Sequence, residues 1–261
     1  MIISQPKIIE EAKKEGIIDI NDFILQKFVG RGSFGKVYKV IEKGTDQLYA
    51  AKVSKTKITN STNDLITDLS REIDIISKLD HPLVLKFKGY SPIDFKKSPK
   101  PVIITEYSSN GTLEDLIQLH RNYHITNSNL YSTSKLIIIY GIASAMSYLH
   151  SHNIIHRDLK PANILMNEYL LPKIADFGLS KINHSRPNTD SIITSPKGTP
   201  IYMAPEIWSK SEYSKAGDVY AFAFIVFEMM TNQKPLENMN IFTLPIKVTN
   251  GYRPEFKNPI P

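Results

Sequence analysis

The hydrophobic period of this 261-residue chain changes once, near Tyr107, and that change limits the folds open to it. Before it, residues 23–53 read as strands, with β-rich runs at 36–41 and 47–53 flanking Lys43-Gly44-Thr45-Asp46, a hairpin turn signal. A polar stretch, 55–63, leads into one helical pattern. Leu65, Leu69, Glu72, Ile73, Ile76 and Leu79 recur at three- and four-residue steps and stop before His81-Pro82. Two further strand candidates follow at 84–89 and 102–106. Beyond Tyr107 the helical period takes over. Residues 134–152 carry Leu136, Ile139, Tyr140, Ala143, Met146 and Leu149 on a helical repeat, 164–166 and 173–175 read as a small hairpin, and a polar loop, 183–197, precedes an apolar helix beginning at Asp218. Residues 1–20 look helical and charged. Strands first and helices after predict an α+β chain, β-rich with one main helix at the N-terminal end and mainly helical at the other.

Composition removes several chemistries. Zero cysteines exclude disulfides, thiolate metal sites and cysteine nucleophiles, and fit a cytoplasmic protein. A hydrophobic content of 41% and a charged content of 22% match ordinary globular chains. The formal charge of +6 is spread along the chain in short pairs such as Lys13-Lys14 and Lys96-Lys97, with no basic stripe interleaved with aromatics, so nucleic acid is not the expected partner. The first residues are too polar and acidic for a signal peptide. The apolar run 219–227, bracketed by Asp218 and Glu228, has about half the roughly 20 residues a bilayer span needs. It predicts a helix buried on all sides, with no membrane partner.

Gly30, Gly32 and Gly35 form a GxGxxG pattern. A dinucleotide-binding turn needs a helix directly after its glycines, whereas Val37 and Val40 continue a strand. A Walker loop needs Ser or Thr after Gly-Lys, whereas Val37 follows Lys36. A β-hairpin lid over phosphates, with Val37 against a base, remains open, and so does a ligand-free turn.

Four further motifs extend the pattern. Tyr49-Ala-Ala-Lys52 is similar to the Val-Ala-Ile-Lys strand of protein kinases. His156-Arg-Asp-Leu-Lys-Pro-Ala-Asn163 resembles their catalytic loop at every defined position. Asp176-Phe-Gly178 and Ala204-Pro-Glu206, the latter preceded by Gly198-Thr-Pro-Ile-Tyr-Met203, complete the set in family order. The resemblance covers Val29 to Asp218. It implies a bilobal kinase-like fold: an N-terminal extension at 1–22, an N-lobe at 23–104, a hinge at 105–109 and a C-lobe at 110–261.

The same resemblance implies transfer of the γ-phosphoryl group of ATP, with Mg²⁺, to a protein hydroxyl. Val29, Gly30, Gly32, Ser33, Phe34 and Gly35 then cover the nucleotide. Lys52, paired with Glu72, holds the α- and β-phosphates. Asp158 accepts or orients the hydroxyl proton, and Lys160 neutralises the γ-phosphate. Asn163 and Asp176 ligate the metal. The backbone of Glu106 and Ser108 binds adenine, with Val37, Ala50 and Leu165 packing its faces. Phe177 packs with Ile76, Phe87 and His156.

Lys160 after the His-Arg-Asp-Leu element, together with Gly198-Thr-Pro before Tyr202, resembles serine/threonine kinases, and implies that Thr199 bonds Asp158 and Lys160. The hinge residues Thr105 to Ser108 and Gly251-Tyr-Arg-Pro254 resemble the tyrosine-kinase-like group of serine/threonine kinases. Ser185, Thr189, Ser191, Thr194 and Ser195 are candidate phosphorylation sites whose phosphate pairs with Arg157, Ser195 leading; the alternative is a hydroxyl-rich loop without a regulatory role. His120 and His124, four residues apart, read as two solvated helix histidines, since a metal site lacks a third ligand nearby.

The sequence departs from the family at its end. Family members have further helices after the Gly-x-Arg-Pro element, one with an arginine that pairs with the glutamate matched by Glu206. The expectation is a truncated helical lobe, a Glu206 without that partner, and a rival reading as an ATP-binding pseudokinase or scaffold. A tyrosine kinase is the other alternative. Ala51 and Ala223 are minor packing departures.

Overall fold

The computed structural model describes residues 16–32, 34–59, 63–123, 129–182, 197–236 and 239–256. The chain divides into two compact units, Met1–Ser108 and Ser109–Pro261. In the first, β1 (Phe23–Arg31), β2 (Gly35–Glu42), β3 (Leu48–Ser54), β4 (Phe87–Ser91) and β5 (Val102–Glu106) form an antiparallel sheet in the order β1-β2-β3-β5-β4. Alternation along β3 settles which side faces the core. Tyr49 and Ala51 are buried with Val40, Val102 and Ile104, while Ala50 and Lys52 lie on the opposite face. Ala51, at a position where the resemblance implies a larger residue, is fully buried.

Helix α1 (Asn63–Ile76) buries Leu69, Glu72, Ile73 and Ile76, the three- and four-residue spacing of one face. Strand β4 begins at Phe87 rather than Val84. Pro82 and Leu83 make a turn closed by the Val84 N–H on His81 O (3.0 Å), so Val84 belongs to that turn's closure and the ladder starts later. The N-terminal segment also differs from a helical reading. Residues 1–15 lie outside the described residues, but Ile17 bridges Tyr90 in parallel, and Ile20–Asp22 form a 3₁₀ turn whose Ile20 is buried in the sheet's core.

The second unit contains α2 (Leu113–Tyr123), α3 (Asn129–Ser151), α4 (Pro205–Lys210), α5 (Lys215–Thr231) and α6 (Leu244–Thr249). It also has two small antiparallel pairs: β6 (Ile154–Ile155) with β9 (Lys181–Ile182), and β7 (Ile164–Met166) with β8 (Pro172–Ile174). Helix α2 starts on a reciprocal cap: Thr112 N–H donates to Asp115 (2.8 Å) and Asp115 N–H donates to Thr112 Oγ1 (3.1 Å).

Two helical expectations are corrected here. On α3 the buried stripe is Ile138, Ile142, Ala145, Met146 and Leu149, whereas Leu136 and Tyr140 are exposed. Residues 136–140 are apolar in every direction, so period alone leaves the phase of the helix undetermined, and packing chooses it. On α5 about half of the residues are buried, and Val219 and Ala223, four apart, form an exposed stripe. No helix among the described residues is long and apolar enough to cross a membrane.

Candidate active site

The first unit assembles one group of the candidate residues. Register pairs Val37 with Lys52 and Gly30 with Val37. Cross-strand partners share a face, so Val37, Lys52 and Ala50 lie on the side of the sheet away from the buried Ala51. Lys52 Nζ pairs with Glu72 Oε1 at 3.1 Å and stands 5.2 Å from the Phe34 ring centroid. The Glu72 side chain is only 6% exposed, and the ammonium offsets part of the cost of burying its carboxylate.

The turn between β1 and β2 is closed by the Gly32 N–H on Gly35 O (2.9 Å). A Cβ at Gly35 would stand 1.7 Å from Val53 O, so strand contact requires that glycine. A Cβ at Gly30 or Gly32 would meet nothing within 4 Å. Packing does not explain those two. Val29 is about half exposed on β1, and Ser33 lies outside the described residues. Glu106 ends β5, its Oε1 accepting the Lys86 N–H (2.7 Å) and its carbonyl a long bond from Thr105 Oγ1 (3.3 Å). The Ser108 backbone makes no hydrogen bond among the described residues.

The second unit holds the other group, organised around a buried carboxylate that the motifs did not assign a role. Asp218, in the first turn of α5, accepts the His156 N–H (2.8 Å) and the Arg157 N–H (2.9 Å), and meets His150 Nε2 at 2.9 Å. It is 3% exposed, and the helix N-terminus adds partial positive charge beside it. These bonds hold Arg157 at φ 68°, a left-handed conformation that costs a non-glycine residue of order 1 kcal/mol or more. The carbonyl of Ala175 can only accept, so His156 Nε2 donates to it (3.0 Å), and Nδ1 is left to accept the Asp158 N–H at 3.4 Å.

Both oxygens of Asp158 are engaged. Thr199 Oγ1 donates to Oδ1 (2.7 Å), while Lys160 Nζ (2.8 Å) and Asn163 Nδ2 (3.0 Å) meet Oδ2. Lys160 Nζ also donates to Thr199 Oγ1 (2.6 Å), so a lysine, a threonine and an aspartate form a closed ring. Gly198, at φ 129°, delivers Thr199 to it; a Cβ there would press on Arg157 O at 2.9 Å.

Asn163 spends its amide N–H₂ on Asp158 O (2.7 Å) and Oδ2, which turns its amide oxygen away as an acceptor without a donor among the described residues. Ala175 N–H donates to Asn163 O (2.9 Å), so Asp176, in a left-handed conformation at φ 64°, directly follows a residue tied to Asn163. One carboxylate and one amide oxygen suit a hard cation that takes its remaining ligands from phosphate and water. Leu165 lies on β7, bridged to Thr112. Phe177 packs on His156 with ring centroids 5.3 Å apart; Ile76 and Phe87 belong to the first unit.

Tyr213 is a second residue that motif reading missed. Its hydroxyl accepts the Lys197 N–H (2.6 Å) and donates to Lys197 O (2.7 Å), and its ring lies 4.6 Å from the Arg157 guanidinium. Nothing in the residues around Tyr213 marks it as contacting Arg157 or Lys197. Glu228, 1% exposed, accepts the Tyr202 hydroxyl (2.7 Å), and burial raises the pKa of both groups. Ser185, Thr189, Ser191, Thr194, Ser195 and His124 lie outside the described residues.

The sequence profile of the protein kinase domain matches residues 23–253. The chain belongs to the protein kinase domain family. Among curated relatives, Aurora kinase of Saccharomyces cerevisiae is 34% identical over 88% of this chain and 59% of its own length. A serine/threonine-protein kinase of Arabidopsis thaliana is 30% identical over 91% of this chain and 39% of its own. An RGS domain-containing serine/threonine-protein kinase of Dictyostelium discoideum is 35% identical over 95% of this chain and 21% of its own. The kinase domain thus spans less than two thirds of each of these proteins.

Proposed function

We propose that this kinase domain transfers the γ-phosphoryl group of ATP to serine or threonine hydroxyls of proteins, with Asp158 as catalytic base. The observation that carries this reading is the ring of Asp158, Lys160 and Thr199 on a loop fixed by Asp218. Phosphoryl transfer needs little covalent chemistry; it needs positioned charge and an oriented nucleophile. Asp158, fixed through both oxygens, is ready to accept a hydroxyl proton without reorganising. Lys160, held beside Asp158, brings a positive charge for the γ-phosphate. Thr199 fixes the distance between them.

Lys52, aimed by Glu72, takes the α- and β-phosphates. The open space at Gly30 and Gly32 lets backbone N–H groups approach them. The backbone of Ser108 and the carbonyl of Glu106 take adenine, with Val37 and Ala50 of the same unit as apolar contacts. Asn163 and Asp176 would hold Mg²⁺, whose chemistry is to bridge phosphate oxygens and neutralise charge developing on them. The serine/threonine assignment draws on the Lys160–Thr199 bond and on the similarity to proteins named as serine/threonine kinases.

The test is transfer of radiolabelled phosphate from ATP to a generic basic protein, followed by phosphoamino-acid analysis. Wild type should label serine and threonine, and Asp158→Ala should lower the rate by roughly 10²–10⁴-fold while folding normally. Equal labelling by both proteins, or phosphotyrosine alone, overturns the proposal.

A further inference from the structure

Three carboxylates of the second unit are matched by cations that the chain itself supplies. Lys160 meets Asp158, and Glu228, which receives the Tyr202 hydroxyl, has Arg121 at 3.6 Å. Glu114 of α2 has Lys234 at 3.3 Å. A basic side chain brought to any of these by a partner would have to displace one already in place.

Lys197 is different. Its side chain is exposed and makes no hydrogen bond or ion pair among the described residues, even with Glu212, the residue before Tyr213. Its main chain is fixed nonetheless, since the Tyr213 hydroxyl accepts its N–H (2.6 Å) and donates to its carbonyl (2.7 Å). A Cβ built on the next residue, Gly198, would stand 3.8 Å from Asp158 Oδ1. Consecutive Cα atoms are about 3.8 Å apart, so the Lys197 Cα lies within about 9 Å of that oxygen. From there a flexible four-carbon stem brings the ammonium to the residues that flank a hydroxyl seated at Asp158.

We propose, on the kinase reading above, that Lys197 selects protein substrates whose acceptor serine or threonine has an acidic side chain next to it. Tyr213 already holds the backbone of Lys197 at both its N–H and its carbonyl, so less freedom is lost when the ammonium pairs. The same charge repels a substrate lysine at that place, and discrimination draws on both signs.

Three peptides test this, identical except that both neighbours of a single serine are Asp, Ala or Lys. For wild type, kcat/KM should be roughly two- to fivefold higher with Asp than with Ala, and lowest with Lys. Raising the salt from about 0.05 to about 0.5 M should narrow the Asp-to-Ala ratio, because exposed charges are screened. Lys197→Glu should reverse the order, placing the Lys peptide first; a ratio within one protein does not depend on its active fraction. Equal kcat/KM for the Asp and Ala peptides, a wild-type order with Lys first, or an unreversed order in Lys197→Glu overturns the proposal. If the generic basic protein is labelled and no peptide is, the proposal fails while the kinase reading stands. Labelling of neither overturns both. The wild-type order and its salt dependence decide even if Lys197→Glu fails to fold.

Discussion

Asp158 is set by neighbours that touch no substrate. Tyr213 pins the residue before Gly198 through two backbone bonds, and Thr199 bonds Asp158 directly. Each such bond contributes about 0.5–1.5 kcal/mol. Tyr213→Phe keeps the ring against Arg157 and loses both bonds to Lys197. It should lower kcat roughly two- to tenfold with the KM for ATP unchanged. Tyr213→Leu loses the cation–π contact as well and should cost more. An unchanged urea-unfolding midpoint separates this from a loss of active fraction, which would also lower apparent kcat without changing either KM. His150 and Asp218 belong to the same scale. The apolar run beginning at Asp218 was visible in the sequence, but no motif showed that its carboxylate reaches back to the N–H groups of residues 156 and 157.

Among the elements, glycine separates packing from ligand contact. At Gly89 a Cβ would stand 2.4 Å from Ile18 Cγ2 and 2.8 Å from Gly16 O. Gly89→Ala should detach residues 16–18 from the edge of β4, at about 1–3 kcal/mol in urea unfolding. Gly32→Ala should leave that midpoint unchanged and raise the KM for ATP, because its Cβ meets no protein atom. The ion pair between β2 and β4 gives a pH prediction. The hydrogen bond from Lys88 to Glu42, 2.7 Å, is the main cause that lowers the carboxyl below its ordinary 4.5 and raises the ammonium. A lowered folded pKa means stability that is present above 4.5 and lost as pH falls through the lower folded value. Glu42→Gln should flatten that acid-side slope, by less than about 1 kcal/mol for so accessible a pair. Equal slopes in pH-dependent urea titrations would refute it.

For the whole molecule, ATP with Mg²⁺ should raise the unfolding midpoint, since a ligand bound only by the folded state at a hundredfold excess over Kd adds roughly 2.7 kcal/mol. That corresponds to several degrees at this chain length. Asp176→Asn should lose the Mg²⁺-dependent part and keep any shift from ATP alone. Sequence determined the order of strands and helices, the hairpin at residues 43–46, and the identity of Lys52, Glu72, Asp158, Asn163 and Asp176 as candidates, because local period, turn chemistry and motif spacing are written in neighbouring residues. Tertiary structure alone decided the buried face of α3, the exposed stripe of α5, the seating of residues 16–18 beside Tyr90, and the roles of Asp218 and Tyr213. Each of these depends on a partner distant in sequence, and no pattern along the chain records which distant atoms burial brings together.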